Sequence, residues 1–241
     1  MSGFILLGDY LRLIVAIVLP SVIWTSKNCA GFSGKTQLLY AISITSSYLY
    51  SSFTSYRPRS ETEKKCICVL ATWLTVYLMY KKFKDTYNRH EDSFKIKYLI
   101  LPVAILAVIF NQGFSLQAVK FVYSELLKFR FSYINTFWSF GLFLEAVAIL
   151  PQLWMFYRDK TNTEKTRSIV FYYIYAMWAY RGFYTISLTY ESGPHADGFI
   201  DFSACLQFVI YLAFLFAYML RGLPSNDETE VTDKATAALY I

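Results

Sequence analysis

Apolar residues along this chain fall into seven runs separated by polar segments. The runs cover residues 4–24, 37–53, 66–80, 98–113, 133–157, 169–190 and 199–220. A helix needs about 20 mostly apolar residues to cross a bilayer. The second to fourth runs are shorter and contain Ser, Thr and Tyr, which is typical of helices packed among neighbours or spanning a thin bilayer. The pattern predicts an all-α membrane protein with seven transmembrane helices.

Two of the runs share a short internal similarity. Residues 17–22 (IVLPSV) resemble residues 148–153 (AILPQL), and each stretch precedes a polar, basic loop. This similarity predicts two parallel three-helix repeats joined by the fourth helix, the arrangement of PQ-loop and SWEET-like proteins, in which sites often lie between the repeats. Proline kinks in two unrelated helices are the alternative explanation.

Composition and charge agree with a membrane protein. Hydrophobic residues make up 56% of the 241 residues, and mean hydropathy is +0.35. The formal charge of +6 does not indicate nucleic-acid binding, because the basic residues lie between the apolar runs. With a lumenal N-terminus, fourteen Lys and Arg residues fall on the cytosolic side and seven on the lumenal side. This bias predicts a lumenal N-terminus and a cytosolic C-terminus.

The sequence predicts neither a metal site nor an enzyme. Cys66 and Cys68 have no second cysteine pair, and the two histidines, His90 and His195, fall in separate loops. No esterase motif and no glycine-rich phosphate loop occurs, so we expect no cofactor.

Two charged residues stand inside apolar runs and are the first candidates for a functional site. Glu145 lies in LFLEAVAILPQLWMF (142–156), and Arg181 lies in AMWAYRGFYTISL (176–188). An ionised side chain in hydrocarbon is costly, so we expect both to face the bundle interior and to pair. The pair forms a polar functional site or, alternatively, only holds two helices in register.

Two further segments are polar or amphipathic. Residues 114–132 have the spacing of an amphipathic surface helix or of a solvated loop helix without a special role. The acidic segment 224–241 is predicted to be a disordered cytosolic tail that follows a membrane domain at 1–223.

Five stretches of the sequence resemble one family of membrane receptors. They are LLGDYLRL (6–13), CAGFSGKTQ (29–37), YKKFKDTY (80–87), LEAVAILPQL (144–153) and AYRGFYT (179–185). The family is that of the KDEL (HDEL) receptors, the endoplasmic-reticulum lumen protein-retaining receptors. The resemblance extends from about residue 6 to 220, with an apparent insertion around 115–132.

The resemblance implies a seven-helix receptor, not an enzyme, that cycles between the Golgi and endoplasmic-reticulum membranes. Members of the family bind the C-terminal tetrapeptide of escaped resident proteins in the acidic Golgi lumen and release it near neutral pH. The implied partners are these signal peptides, a retrograde vesicle coat and the lipid bilayer, with no nucleic acid.

Several residues match family positions one by one. Glu145 and Arg181 match the interior acid–base pair, and Asp201 matches an acid at the start of the last helix. Trp138, Tyr180 and Tyr184 match aromatic positions that line the peptide site. Adding Arg12, Ser47 and Tyr48 completes the predicted ligand-binding set.

Three cations of the family are replaced here by Ile5, Ser47 and Glu191, and two acids by Tyr50 and Asn135. Arg12 stands where members have a proton-sensing histidine, and an arginine does not titrate in this pH range. The tail lacks the lysine-rich end that supports coat recruitment, and only Lys234 remains.

Arg12 admits two interpretations. It lies seven residues from Ile5 and therefore on the same helix face, so we expect it either to bind a ligand carboxylate or to pair with Asp9 three residues earlier. The alternatives to a receptor are a PQ-loop-type small-solute transporter and a trafficking protein that has lost peptide binding.

Overall fold

The computed structural model describes residues 3–53, 59–109, 133–158, 164–191, 205–213 and 215–216, and these contain helices but no strands. The helices are α1 (Gly3–Ser26), α2 (Gly34–Phe53), α3 (Arg59–Tyr77), α4 (Lys97–Ile109), α5 (Tyr133–Val147), α6 (Leu150–Arg158), α7 (Glu164–Glu191) and α8 (205–213). A π-helical turn, Leu78–Lys82, extends α3. Residues 114–132 and 224–241 lie outside the described residues.

The second and third apolar runs form longer helices than their hydrophobic patterns predict. α2 has 20 residues, and α3 has 19 before its π-helical turn. Both helices continue into polar sequence, because Lys35 and Thr36 lie in the first turn of α2 and Glu61–Lys65 lie in the first turns of α3. Both helices therefore extend beyond the short apolar spans predicted from the sequence.

The fifth apolar run is not one helix. α5 ends at Val147, a turn covers Ala148 and Ile149, and α6 begins at Leu150. Pro151 has no backbone N–H and cannot donate to the carbonyl group of Val147, so the helical ladder is broken here. By contrast, α1 continues through Pro20.

Helix α2 lies at the centre of the bundle, where it packs against α3, α5 and α6, while α1 packs against α3 and α7. The closest approach of α2 to α5 is at Gly141, whose carbonyl oxygen accepts a hydrogen bond of 2.7 Å from Ser43 Oγ. A Cβ atom at this position would lie 2.9 Å from the backbone oxygen of Ser43 and 2.9 Å from Ser47 Oγ. The crossing therefore requires glycine.

Large apolar side chains are exposed on the outside of the bundle, and polar side chains are buried inside it together with the apolar core. Leu70 and Leu101 are 66% and 65% exposed, whereas Gln152 and Gln207 are fully buried. This distribution suits a lipid environment, in which apolar side chains face outward and polar ones face the bundle interior. Two described helical segments, Leu6–Ser26 and Thr136–Phe156, are long and apolar enough to cross a membrane, and Lys97–Ile109 is a shorter apolar helix.

Candidate functional site: a buried cluster of two arginines and one glutamate

Glu145 is the centre of a buried polar cluster that joins four helices. Its Oε1 atom contacts Nη2 of Arg181 on α7 and lies 3.3 Å from Nη2 of Arg12 on α1. The hydroxyl group of Tyr180 donates a hydrogen bond of 2.8 Å to the same oxygen. Nε2 of Gln207 on α8 donates to the backbone oxygen of Glu145 over 3.2 Å. The predicted pairing of Glu145 with Arg181 is present in the structure.

Helical periodicity explains why Arg12 faces inward. The buried residues of α1 include Val15, Leu19 and Ile23, which lie three, seven and eleven positions after Arg12. This spacing defines one helix face, which packs against α3 and α7. The same rule applies to α7, where Val170, Ile174 and Met177 precede the cluster on its buried face. Arg12 reaches across the bundle because its helix face points there.

The cluster contains two permanent cations and one carboxylate. The side chains of Arg181 and Glu145 are each 5% exposed, and that of Arg12 is 25% exposed. Arg12 Nε is buried and has no hydrogen-bond partner among the described residues. A buried charge is stable only when it is paired and hydrogen-bonded. Among the described residues the cluster therefore has two cations for one carboxylate, and buried guanidinium nitrogens without a hydrogen bond occur on both arginines: Nε of Arg12 and Nη2 of Arg181, the latter in the ion pair with Glu145.

The arginine of α7 is held in place by its neighbour in the sequence. Arg181 Nε donates a hydrogen bond of 2.8 Å to the hydroxyl oxygen of Tyr180, whose proton is donated to Glu145. Arg181, Tyr180 and Glu145 thus form a closed ring of contacts in which each side chain orients the next. Arg12 is not part of this ring, and its ion pair with Glu145 joins it to the cluster.

A small cavity of about 30 Å³ lies beside the cluster. Its polar lining consists of Arg12, Gln37, Tyr40, Thr72, Thr75, Glu145, Tyr173 and Tyr180. A buried water molecule needs about 10–15 Å³ measured in this way, so the cavity has room for about two. The cavity is closed to anything as large as a tetrapeptide in this conformation.

Tyrosine hydroxyl groups form the wall of the cavity opposite the arginines. The hydroxyl groups of Tyr40 on α2 and Tyr211 on α8 are hydrogen-bonded to each other. Gln37 Nε2 donates to the hydroxyl oxygen of Tyr173 on α7 over 3.1 Å. Neutral donors and acceptors thus line part of the cavity, and the rest of its lining is apolar, including Val15, Leu19 and Ile44.

Four of the predicted site residues come together, namely Arg12, Glu145, Tyr180 and Arg181. Ser47, on α2, lies instead against Gly141 of α5. Gly141 is one helical turn before Glu145.

Trp138 is half-buried and packs against the hydrophobic core, and Tyr48 is half-buried on α2. Tyr184 belongs to α7, but its side chain lies outside the described residues, as does Asp201 altogether. The side chains of Ile5 and Glu191 are likewise outside the described residues. The predicted ligand-binding roles of these residues stay predictions.

The sequence pattern missed the neutral polar residues of the site. Gln207 stands alone in an apolar run, ACLQFVIYLAFLF (204–216), and is fully buried. Such an isolated amide is a signal of the same kind as an isolated charge, since it needs a partner in hydrocarbon. Tyr40, Tyr173 and Tyr211 could not be distinguished in this way, because the chain has 21 tyrosines.

A second polar cluster fastens the opposite end of the bundle. Gln152 Oε1 accepts a hydrogen bond of 2.7 Å from the backbone N–H of Ser33, and Gln152 Nε2 donates to the backbone oxygen of Gly31 over 2.8 Å. Ser33 Oγ in turn donates to Oδ2 of Asp92 over 3.0 Å, and the Tyr87 hydroxyl group donates to the same oxygen. Gln152 thus fixes the α1–α2 loop to α6, and Ser33 joins that loop to the α3–α4 loop through Asp92.

Cys29 is part of this loop junction and is not a reactive thiol. Its Sγ atom lies 3.1 Å from Thr86 Oγ1 and donates to the backbone oxygen of Phe83 over 3.3 Å. Burial raises the pKa of the Cys29 thiol, so the thiol stays protonated at neutral pH. Among the described residues no group of three or more His, Cys, Asp and Glu side chains is arranged to hold a metal ion.

Comparison with known proteins identifies the family. The family model described as "ER lumen protein retaining receptor" matches residues 28–191. The chain belongs to this family. Relatives include ER lumen protein-retaining receptor erd-2.1 of Caenorhabditis elegans, 34% identical over 236 residues that cover 96% of this chain and 100% of the relative. The ER lumen protein-retaining receptor of Drosophila melanogaster is 33% identical, covering 92% of this chain and 96% of the relative.

A vertebrate relative, ER lumen protein-retaining receptor 2 of Gallus gallus, is 34% identical over 227 residues, again covering 92% of this chain and 96% of the relative. The match to the ER lumen protein-retaining receptors therefore extends along nearly the whole chain. It includes α1 with Arg12 and α7 with Arg181, so the buried cluster belongs to the part of the chain that is shared with these receptors.

Proposed function

We propose that this protein is a retrieval receptor. It binds C-terminal KDEL- or HDEL-like signals of soluble endoplasmic-reticulum proteins and returns these proteins from the Golgi to the endoplasmic reticulum. It does so by binding and transport, not by catalysis. The observation that supports the proposal most directly is the buried Arg12–Glu145–Arg181 cluster beside a polar cavity, in a chain related over its length to retaining receptors.

The excess positive charge of the cluster suits a peptide C-terminus. A carboxylate that approaches Arg12 would neutralise the second cation and accept a hydrogen bond from the free Nε atom. Such charge-assisted bonds are the strong ones, and a low dielectric strengthens them further. In this proposal Arg12 takes over part of the role of the cations that are missing at Ile5, Ser47 and Glu191. The recognised terminal motif is then expected to differ from the ordinary tetrapeptide.

Binding requires the cavity to enlarge. A volume of about 30 Å³ holds water but no peptide, so the described conformation is the closed state of the receptor. The peptide binds a more open state and shifts the population toward it. The cavity is expected to open at Arg12. This residue is the more exposed cation of the cluster, and its ion pair with Glu145 connects it to the other residues.

We further propose a seven-helix arrangement with a lumenal N-terminus, built from two parallel repeats, in the endoplasmic-reticulum and Golgi membranes. The contacts between loops support the assignment of these segments in pairs to the same side of the membrane. The segments 25–36 and 81–97, both assigned to the cytosol, meet through Ser33 and Asp92. Lys64, assigned to the lumen, lies 4.1 Å from the ring centroid of Tyr10 near the start of α1. A retrograde vesicle coat remains the proposed cytosolic partner.

Peptide binding to the purified full-length chain tests the proposal. A panel of C-terminal tetrapeptides is titrated at acidic and at neutral pH, each peptide with a free carboxylate and again with an amidated C-terminus. We expect saturable binding of at least one free-carboxylate peptide and none of its amidated form. If no peptide binds, the chain is not a retrieval receptor, and uptake of a labelled solute into proteoliposomes would then identify a transporter.

A further inference from the structure

A long apolar groove runs between α1 and α3 on the outside of the bundle. It has a volume of about 560 Å³ and is lined by ten residues: Ile17, Pro20, Ser21, Trp24 and Thr25 on α1, and Ile67, Leu70, Ala71, Leu74 and Leu78 on the α3 side. Ligand pockets typically have volumes of about 300–1,000 Å³. The groove is separate from the Arg12–Glu145–Arg181 cluster, with which it shares no lining residue.

The groove is lined mainly by apolar side chains. Its two hydroxyl groups are already satisfied within α1, because Ser21 Oγ donates to the oxygen of Ile17 over 2.8 Å and Thr25 Oγ1 donates to the oxygen of Ser21 over 2.8 Å. None of the ten described lining residues is charged. An apolar chain therefore fits this surface better than a polar ligand.

The length of the groove matches one leaflet of a bilayer. Ile67 and Leu78 mark its ends on the α3 side, and a rise of about 1.5 Å per residue separates them by about 16 Å. The hydrocarbon core of a bilayer is about 30 Å thick, so one leaflet measures about 15 Å. A single lipid acyl chain can therefore lie along the whole groove.

Lysines lie near both ends of the groove: Lys64 lies over the Tyr10 ring three residues before Ile67, and Lys81 and Lys82 follow Leu78. Lys82 Nζ lies 3.1 Å from the ring centroid of Trp24, and Lys81 and Lys82 are both exposed. Tryptophan side chains favour the level of the lipid headgroups, and lysines near that level attract anionic lipids. The end of the groove marked by Trp24 therefore lies where a phospholipid headgroup would be.

We propose that this groove binds an anionic phospholipid of the surrounding membrane. One acyl chain lies between α1 and α3, and the headgroup phosphate contacts Lys82 and Lys81. This inference goes beyond the retrieval function and does not depend on it, because it requires only that α1 and α3 lie in a membrane. Loss of peptide binding would leave it unaffected.

Lipid binding to the full-length chain in detergent tests the proposal. Native mass spectrometry measures the affinity for phosphatidylserine and for phosphatidylcholine with identical acyl chains. A lysine near an anionic headgroup contributes a factor of about five in affinity. We expect the wild-type protein to prefer phosphatidylserine, and Lys82→Gln to lower that preference about fivefold.

Lys97→Gln is the matched control, since Lys97 also lies over an aromatic ring, that of Tyr98, at 5.3 Å, but on α4 and outside the groove. It should leave the preference unchanged. Ala71→Phe, which fills the groove without changing the charge, should reduce retention of both lipids.

Three outcomes would overturn the proposal. The wild-type protein could bind both lipids equally, or Lys97→Gln could lower the preference as much as Lys82→Gln, which would indicate general surface charge. The purified chain could also dimerise through the groove, so that Ala71→Phe yields monomers without changing lipid retention; the occupant would then be a second copy of the chain.

Discussion

The charge imbalance of the buried cluster leads to a prediction about stability. In the Glu145→Gln variant the carboxylate is lost, and the guanidinium groups of Arg12 and Arg181 face each other without an anion between them. Removing one partner of a buried ion pair costs about 3–5 kcal/mol. Since Arg181 is only 5% exposed, we expect the free energy of unfolding to fall by about 4 kcal/mol.

Removing Arg12 instead of Glu145 should lower the free energy of unfolding much less. Arg12→Gln removes the more exposed cation, at 25%, while Glu145 keeps its contact with Arg181 and its hydrogen bond from Tyr180. We expect a loss of about 1 kcal/mol, close to the value of a partly solvated ion pair. In the Glu145→Gln background the sign should reverse, so that Arg12→Gln restores about 1–2 kcal/mol by removing the repulsion.

Thermal unfolding in detergent, followed by tryptophan fluorescence, compares four proteins: the wild type, the two single variants and the double variant. At about 2–4 °C per kcal/mol for a chain of this size, Glu145→Gln should lower Tm by about 10 °C and Arg12→Gln by about 3 °C. Glu91→Gln is the control, because Glu91 has a loop hydrogen bond from Asn88 and lies outside the cluster. If Arg12→Gln destabilises the Glu145→Gln variant as much as the wild type, the two guanidinium groups do not repel each other and the reasoning is wrong.

The remaining predictions concern binding and packing. Arg12→Ala should weaken the binding of a free-carboxylate peptide about 10–100-fold, the value of a charge-assisted hydrogen bond, and unchanged affinity in calorimetry would exclude a carboxylate contact. The affinity of the wild type for the peptide should stay constant between acidic and neutral pH, because arginine remains charged. Arg12→His, with an ordinary histidine pKa of about 6.5, should bind the peptide more tightly at acidic pH. Equal affinity of this variant at both pH values would contradict the prediction. Gly141→Ala should lower the unfolding free energy by about 2 kcal/mol, whereas Gly182→Ala, with its nearest neighbour at 3.6 Å, should be neutral, and equal losses would refute the close-contact explanation. Gln152→Leu leaves two backbone groups without partners and should cost about 2–4 kcal/mol, and a melting temperature like that of the wild type would show that water replaces both bonds.

Isolated charges were the part of the site that the sequence could predict. Glu145 and Arg181 each stand in an apolar run, and two opposite charges in hydrocarbon have few other partners. Arg12 was ambiguous because Asp9 lies three residues away on the same helix, and local spacing cannot reveal a partner on a distant helix. Its ion pair with Glu145 joins α1 to α5 and depends on how the helices pack in three dimensions.

Helix ends and breaks were less predictable, for a related reason. Pro20 and Pro151 occur in nearly the same local sequence, yet α1 continues and the fifth run breaks. The difference between them is tertiary, because Gln152 bonds to the α1–α2 loop, whereas the residue after Pro20, Ser21, bonds only within its own helix. Hydrophobic patterns contain no information about such contacts.

The order of Arg12 and Glu145 along the chain has a consequence for biosynthesis. Helix α1 is synthesised before α5, and at about 5–20 residues per second its arginine precedes the glutamate by a time on the order of 10 s. During that time the guanidinium group has no anion from α5, and an arginine inside a membrane helix costs about 2.5–3.5 kcal/mol. The mean hydropathy of 1.9 over Leu6–Ser26 is what keeps the first helix inserted until the rest of the bundle has been synthesised.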